Sequence, residues 1–415
     1  MARSSGEEAQ RSTIDAGRAL DVGRGAAILL VVYGHFLQPW ATPYLPTFSP
    51  DAMVVWKLGA SFLMPFFFAL SGMGWRRSKT LRSSLREALT LILVAWLASV
   101  AVDLLRVAMT LTNSEGLFAQ QPLTPFLMLK NAARMLIYGD YYSVGSLWFL
   151  AALGWTRLLA AVAARVGWIW GLAFSIVLIG VGLIVRAKGL HNYHQIMLLG
   201  VALTIFILAF LVRPAFAAIV RQPWLAALAF IVGGAVTLTT FALNNGCTFD
   251  MVRQCSPVFG VSMYRGAFGN LAWFWITAVS GVVWGLGFSA LVVRTGDWLV
   301  GRLVHFGRNT IDILVANGLV FELINPQIER WIAPSLPAHG PAFLFALLIV
   351  SWVVTLGLAA LLRPVFRKIR AMARGLATMV VAFRSSPSWT GPAVRVSASA
   401  HEPGSSTGSA ERRAL

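Results

Sequence analysis

Stretches of about 20 apolar residues, separated by short basic or Pro-rich segments, run almost the length of this chain and leave few folds open. A run of that length crosses the roughly 30 Å hydrocarbon core of a bilayer as an α-helix. In lipid the backbone must satisfy its own hydrogen bonds, which only helices and closed barrels achieve. The runs are continuous rather than alternating, so barrel strands are excluded. About ten blocks stand out: 25–41, 53–74, 88–109, 145–164, 168–186, 193–212, 224–243, 269–293, 309–325 and 341–362. The reading is an all-α, polytopic transmembrane helix bundle. Composition agrees: 57% hydrophobic and 12% charged residues cannot cover a soluble protein of 415 residues.

The ends differ from the middle. Residues 1–17 are polar and read as a disordered cytoplasmic N-terminus, 18–374 as the membrane domain, and 375–415 as a mostly disordered cytoplasmic tail rich in Ser, Gly, Ala and Pro. Arginines before the first apolar block imitate a signal peptide. The following FLQPWATPYLP offers no small-x-small cleavage site, so the block reads as a retained helix.

A net charge of +18 would point to nucleic acid in a soluble protein. Here its distribution is informative. Assigning alternate loops to alternate sides collects roughly 25 of the 34 Lys and Arg residues on one side, including Arg18, Arg24, the WRRSKTLRSSLRE loop and everything basic from Arg363 onward. That side is then cytoplasmic, with both termini on it, and no nucleic-acid partner is needed. The expected location is a bacterial inner (cytoplasmic) membrane. Cys247 and Cys255, the two cysteines of the chain, fall in a polar loop on the opposite side. There a small disulfide-bridged loop is expected, with two free thiols as the alternative.

Ionisable residues at membrane depth point to function. In RALDVGRGAAILLVVYGHFLQPW, Arg18, Asp21 and Arg24 lie at i, i+3 and i+6, which lets the carboxylate sit between two guanidiniums. His35 lies eleven residues beyond Arg24. At 100° per residue the two share a face, roughly 16 Å apart along the axis, with the imidazole expected near the middle of the membrane. A ligand spanning that gap carries negative charge at the interfacial end and a reactive group at the buried end. Acyl-coenzyme A has this shape, and a neutral imidazole beside its thioester can take a proton from an attacking hydroxyl. The bland alternatives are a buried hydrogen-bonded histidine and an ordinary positive-inside arginine.

The motif resembles the first-helix signature of the acyltransferase 3 family of integral membrane O-acyltransferases, with Leu20, Asp21, Arg24 and His35 at the matching positions. FLMPFFFALSGMGWRRS is similar to the family's Phe-rich helix ending in Ser-Gly and a basic cluster, here Ser71, Gly72, Arg76 and Arg77. SLWFLAAL (Leu147, Trp148, Phe149, Leu150) and GRNTIDILVAN (Gly307, Arg308, Asn309, Thr310) resemble two further segments. Many relatives carry a histidine where this chain has Asn317, so a second catalytic histidine is not available there.

The resemblance implies transfer of an acyl group, most often acetyl, from a cytoplasmic acyl-CoA (acetyl-CoA) to a hydroxyl of a carbohydrate, glycolipid or other glycoconjugate of the envelope or of a secreted molecule. The donor is a substrate, and no bound cofactor is expected. His35 would be the general base or a transient acyl carrier. Arg24, Arg76 and Arg77 would hold donor phosphates, Asp21 would orient Arg24, and Trp148 and Ser71 would support the site. Ser71-Gly72 equally suits a close helix contact, Arg76 and Arg77 positive-inside charge, and Trp148 an aromatic belt.

Other polar residues read as structural. Asp103 with Arg106, and Arg308 with Asp312, have ion-pair spacing. His191 and His194 lack carboxylate or cysteine company, so no metal site is expected. Tyr138, Asp140, Tyr141 and Tyr142 form a patch that suits sugar hydroxyls or an interfacial anchor. A transporter or flippase is the competing reading; it predicts Gly/Pro-broken helices in matched halves, and no matched halves are visible.

Overall fold

The computed structural model describes residues 2–42, 47–76, 80–112, 123–139, 144–190, 193–244, 246, 260–264, 266–325, 328 and 340–383. These form α1 (Ala2–Leu37), α2 (Pro50–Met73), α3 (Leu81–Leu111), α4 (Pro125–Tyr138), α5 (Trp148–Val166), α6 (Trp168–Ala187) and α7 (Ile196–Leu211). After them come α8 (Arg213–Arg221), α9 (Pro223–Thr240), α10 (Leu271–Val292), α11 (Asp297–Arg308), α12 (Thr310–Leu319), α13 (Pro341–Leu361) and α14 (Arg363–Phe383). Among the described residues there is no strand.

Each of the ten apolar blocks lies on a helix. Among the described residues eight helices are long and apolar enough to cross a membrane, or nine if the α7–α8 pair, bent by 56°, is one span. The remaining block, 309–325, becomes a 10-residue α-helix (α12) running into a 5-residue wide π turn, Val320–Ile324. That piece is too short to count alone, because Asn309 breaks it from the amphipathic α11.

Polar residues just outside the apolar runs set the helix starts. Ser49, Thr80 and Thr124 accept from the backbone N–H groups of Ala52, Ser83 and Leu127, and Pro50 and Pro125 follow two of them. Gly139, at φ 74°, ends α4 in the left-handed conformation that disfavours a side chain.

With lipid outside, helices gain by close approach rather than by hiding from water. A Cβ on Gly25 would lie 2.0 Å from the Leu303 carbonyl oxygen, and one on Gly307 would lie 2.0 Å from that of Asp21. The backbones of α1 and α11 therefore touch. Gly72 meets the Phe206 carbonyl in the same way, joining α2 to α7.

Candidate active site

His35 falls in the last turn of α1, nearer that helix's far end than the mid-membrane position expected from the hydropathy block. Its Nδ1 lies 2.5 Å from the Asn317 side-chain amide on α12. The Phe321 ring, carried by the π turn, packs against the imidazole at 5.3 Å between centroids. Asn325 donates through Nδ2 to the His35 backbone carbonyl at 3.3 Å. Asn317 and Asn325 are almost fully buried, whereas His35 keeps partial exposure and a Cβ on Gly34 would meet nothing within 4 Å. The ring is thus clamped by α12, and the residue as a whole keeps partial exposure.

The Asn317 contact admits two amide orientations. The amide N–H can donate to a bare Nδ1, or the amide oxygen can accept from Nδ1–H. Only the second leaves the Nε2 lone pair free. Glu322, next to Phe321, accepts through Oε1 from the Gly145 N–H at 3.3 Å. A Cβ on Gly318 would meet Val144 and Ser146. The turn Gly145–Leu147 therefore seats on α12 and sets the start of α5.

At the opposite end of the shared face, Arg24 donates through Nη1 to Asp21 Oδ1 at 2.9 Å and through Nη2 to the Leu70 carbonyl at 3.2 Å. A Cβ on Gly74 would lie 2.6 Å from Nη2, so glycine there makes room for the guanidinium at the C-terminal end of α2. Backbone carbonyls concentrate negative potential at that end, which favours a cation. Asp21 Oδ2 accepts from Arg308 Nε at 3.1 Å.

The expected pairings change accordingly. Asp21 lies between Arg24 and Arg308, not between Arg18 and Arg24, because the α1–α11 contact brings Arg308 alongside. The same contact gives Arg18 the Asp297 carboxylate at 3.0 Å. Asp312 pairs with Arg370 of α14 at 3.1 Å rather than with Arg308.

A family model described as an acyltransferase domain matches residues 18–356. The chain belongs to the acyltransferase 3 family. It is an integral membrane acyltransferase, and the match runs from just before Asp21 to within α13, leaving α14 outside. No curated protein and no solved structure matches the chain.

The other candidate residues of this acyltransferase distribute as follows. Trp148 is buried at the start of α5, with its ring on Phe149 and Tyr264. It joins the His35 layer through the Gly145–Leu147 turn. Ser71 is buried beside Gly72, within the α2–α7 contact. Arg76 is exposed just past Gly74, at the Arg24 end. Arg77, Asp140, Tyr141, Tyr142, His191, Cys247 and Cys255 lie outside the described residues. Asp103 and Arg106 form an ion pair at 3.7 Å with Asp103 buried. The His194 ring packs on Trp155. Among the described residues no group of three His, Cys, Asp or Glu side chains is arranged to hold a metal.

Phe321, Glu322 and Asn325 are site neighbours that the sequence does not single out; Asn317 stands there only as a departure from the family pattern, and Arg308 only as part of the late motif and a partner for Asp312. A signal is present: Asn317, Glu322 and Asn325 are among the polar side chains that interrupt the apolar block 309–325.

Proposed function

We propose that the acyltransferase moves an acyl group, most often acetyl, from cytoplasmic acyl-CoA to a hydroxyl of a sugar, glycolipid or other envelope or secreted acceptor. One observation carries this reading: Arg24 and His35 share a face of one continuous helix, roughly 16 Å apart along it. Arg24, Arg76 and Arg77 hold the donor's phosphates at the cytoplasmic end, and Asp21 keeps Arg24 against the end of α2. The pantetheine arm then reaches inward to the imidazole. Ile28 and Val31, between the two on that face, are buried. The arm therefore inserts by parting α1 from its neighbours rather than along a standing groove.

With the Asn317 amide turned so that its oxygen faces Nδ1, that oxygen accepts the Nδ1 proton of His35, and Nε2 takes the proton of the acceptor hydroxyl. The acceptor oxygen attacks the thioester carbonyl, the tetrahedral intermediate collapses with loss of the CoA thiolate, and the imidazolium returns its proton to that sulfur. In a two-step variant Nε2 attacks the thioester and displaces the CoA thiolate; the acceptor hydroxyl then attacks the acyl-imidazolium, freeing Nε2 and giving its proton to the thiolate. Both termini face the cytoplasm on this reading, in a bacterial inner membrane, where positive-inside charge places them.

Inverted membrane vesicles supplied with radiolabelled acetyl-CoA and mixed glycan or glycolipid acceptors test it. Label is expected in an acceptor with wild type and absent with His35→Ala at equal protein level. No labelled product, together with solute movement indifferent to His35→Ala, would favour transport instead.

A further inference from the structure

α14 follows α13 directly and contains five cations, Arg363, Arg367, Lys368, Arg370 and Arg374, and no acidic residue. At 100° per residue its side chains sort into three faces. Phe366, Ala373, Ala377 and Val381 are buried where the helix packs on α3, and Arg370 reaches Asp312 on the same side. Val365, Met372, Leu376, Met379 and Val380 form a second stripe, exposed by 36% to 65%. Arg363, Arg367 and Arg374 are exposed opposite that stripe, and Lys368 flanks it.

A helix already clasped along one side gains nothing in water from five large apolar side chains on another. At a membrane surface the same pattern is stable, with the apolar stripe in the acyl boundary and the cations at headgroup level or above. The span next door ends at Leu361, so lipid lies within reach of the first turn. A run of cations just past a span draws anionic headgroups, by about fivefold per cation.

We propose that α14 is an in-plane surface helix that docks on the anionic phospholipid of the bilayer its own chain spans. This holds whether or not the acyl-transfer reading does, and its test uses no activity. The full chain, with Cys247→Ser and Cys255→Ser, is spin-labelled at Met379→Cys on the stripe or at Thr378→Cys on the polar side. It is then placed in nanodiscs of phosphatidylcholine with or without phosphatidylglycerol. With phosphatidylglycerol the label at 379 should meet oxygen more than an aqueous nickel chelate, and the label at 378 the reverse. Docked over undocked label should fall about a hundredfold in the triple variant Arg367→Gln, Lys368→Gln, Arg374→Gln. High salt acting on the unsubstituted helix should move it the same way. A water-accessible 379 in both lipids overturns the proposal. So does lipid contact indifferent to phosphatidylglycerol, salt and the charge variant, and so does a label shielded from both probes, which would mean a protein covers the stripe.

Discussion

Under the proposed chemistry His35 acts as a base with one ring nitrogen held and the other free, and Asn317 is the residue that touches the held nitrogen. Asn317→Ala should lower kcat on the order of a hundredfold while leaving the KM for the acyl donor near its original value, a split that steady-state kinetics in nanodiscs would read. A loss in KM alone would assign Asn317 to donor binding instead. Gly74→Ala should do the opposite. Its methyl would lie 2.6 Å from Arg24 Nη2, so the guanidinium must shift, and the donor KM should rise several-fold with kcat largely kept. The Arg24–His35 relation was legible because both residues sit on one helix, where periodicity fixes their faces. The Asn317 contact was not, since 282 residues separate the partners and nothing local encodes their meeting. In the sequence Asn317 stood only as a departure from the family pattern, in a place where the structure has it touching the very ring at issue.

At the scale of helices, the backbone contact of α1 with α11 decides which charges meet. Gly25→Val would drive a side chain into the Leu303 carbonyl, 2.0 Å from where its Cβ would fall. It should cost at least about 1–3 kcal/mol, the range for forced overpacking, and appear as a lower Tm in detergent. Gly17→Ala, where a Cβ meets nothing within 4 Å, is the control and should leave Tm unchanged or slightly raised, since alanine favours the helix over glycine. Apolar run length located every spanning helix, and Ser, Thr and Pro marked where several begin. Helices α4, α8, α11 and α14 lie outside the hydropathy blocks, because their apolar runs, such as AFAAIV in α8, WLV in α11 and MVVAF in α14, are far shorter than a spanning block. Without α11 the sequence offers Asp21 only Arg18 and Arg24, three residues to either side; Arg308 arrives through the fold.

For the molecule as a whole, alternation of charge across the loops predicts orientation. An alkaline phosphatase fused after Phe383 should be inactive, and one inserted near Leu190 active; the reverse pattern would invert the topology. A thiol reagent confined to the outer side should label Cys247 and Cys255 only after reduction. The continuity of α1 has a further consequence under the proposed chemistry. A rod that fixes an anchoring cation and an imidazole at its two stations gauges the length of whatever is laid along it. Acetyl phosphate, with phosphorus and carbonyl as near neighbours, is too short to touch both stations and should not be used. A clipped thioester such as S-acetyl-N-acetylcysteamine reaches the imidazole but has nothing for Arg24 to grip, and should be accepted only at much higher concentration than the full-length donor.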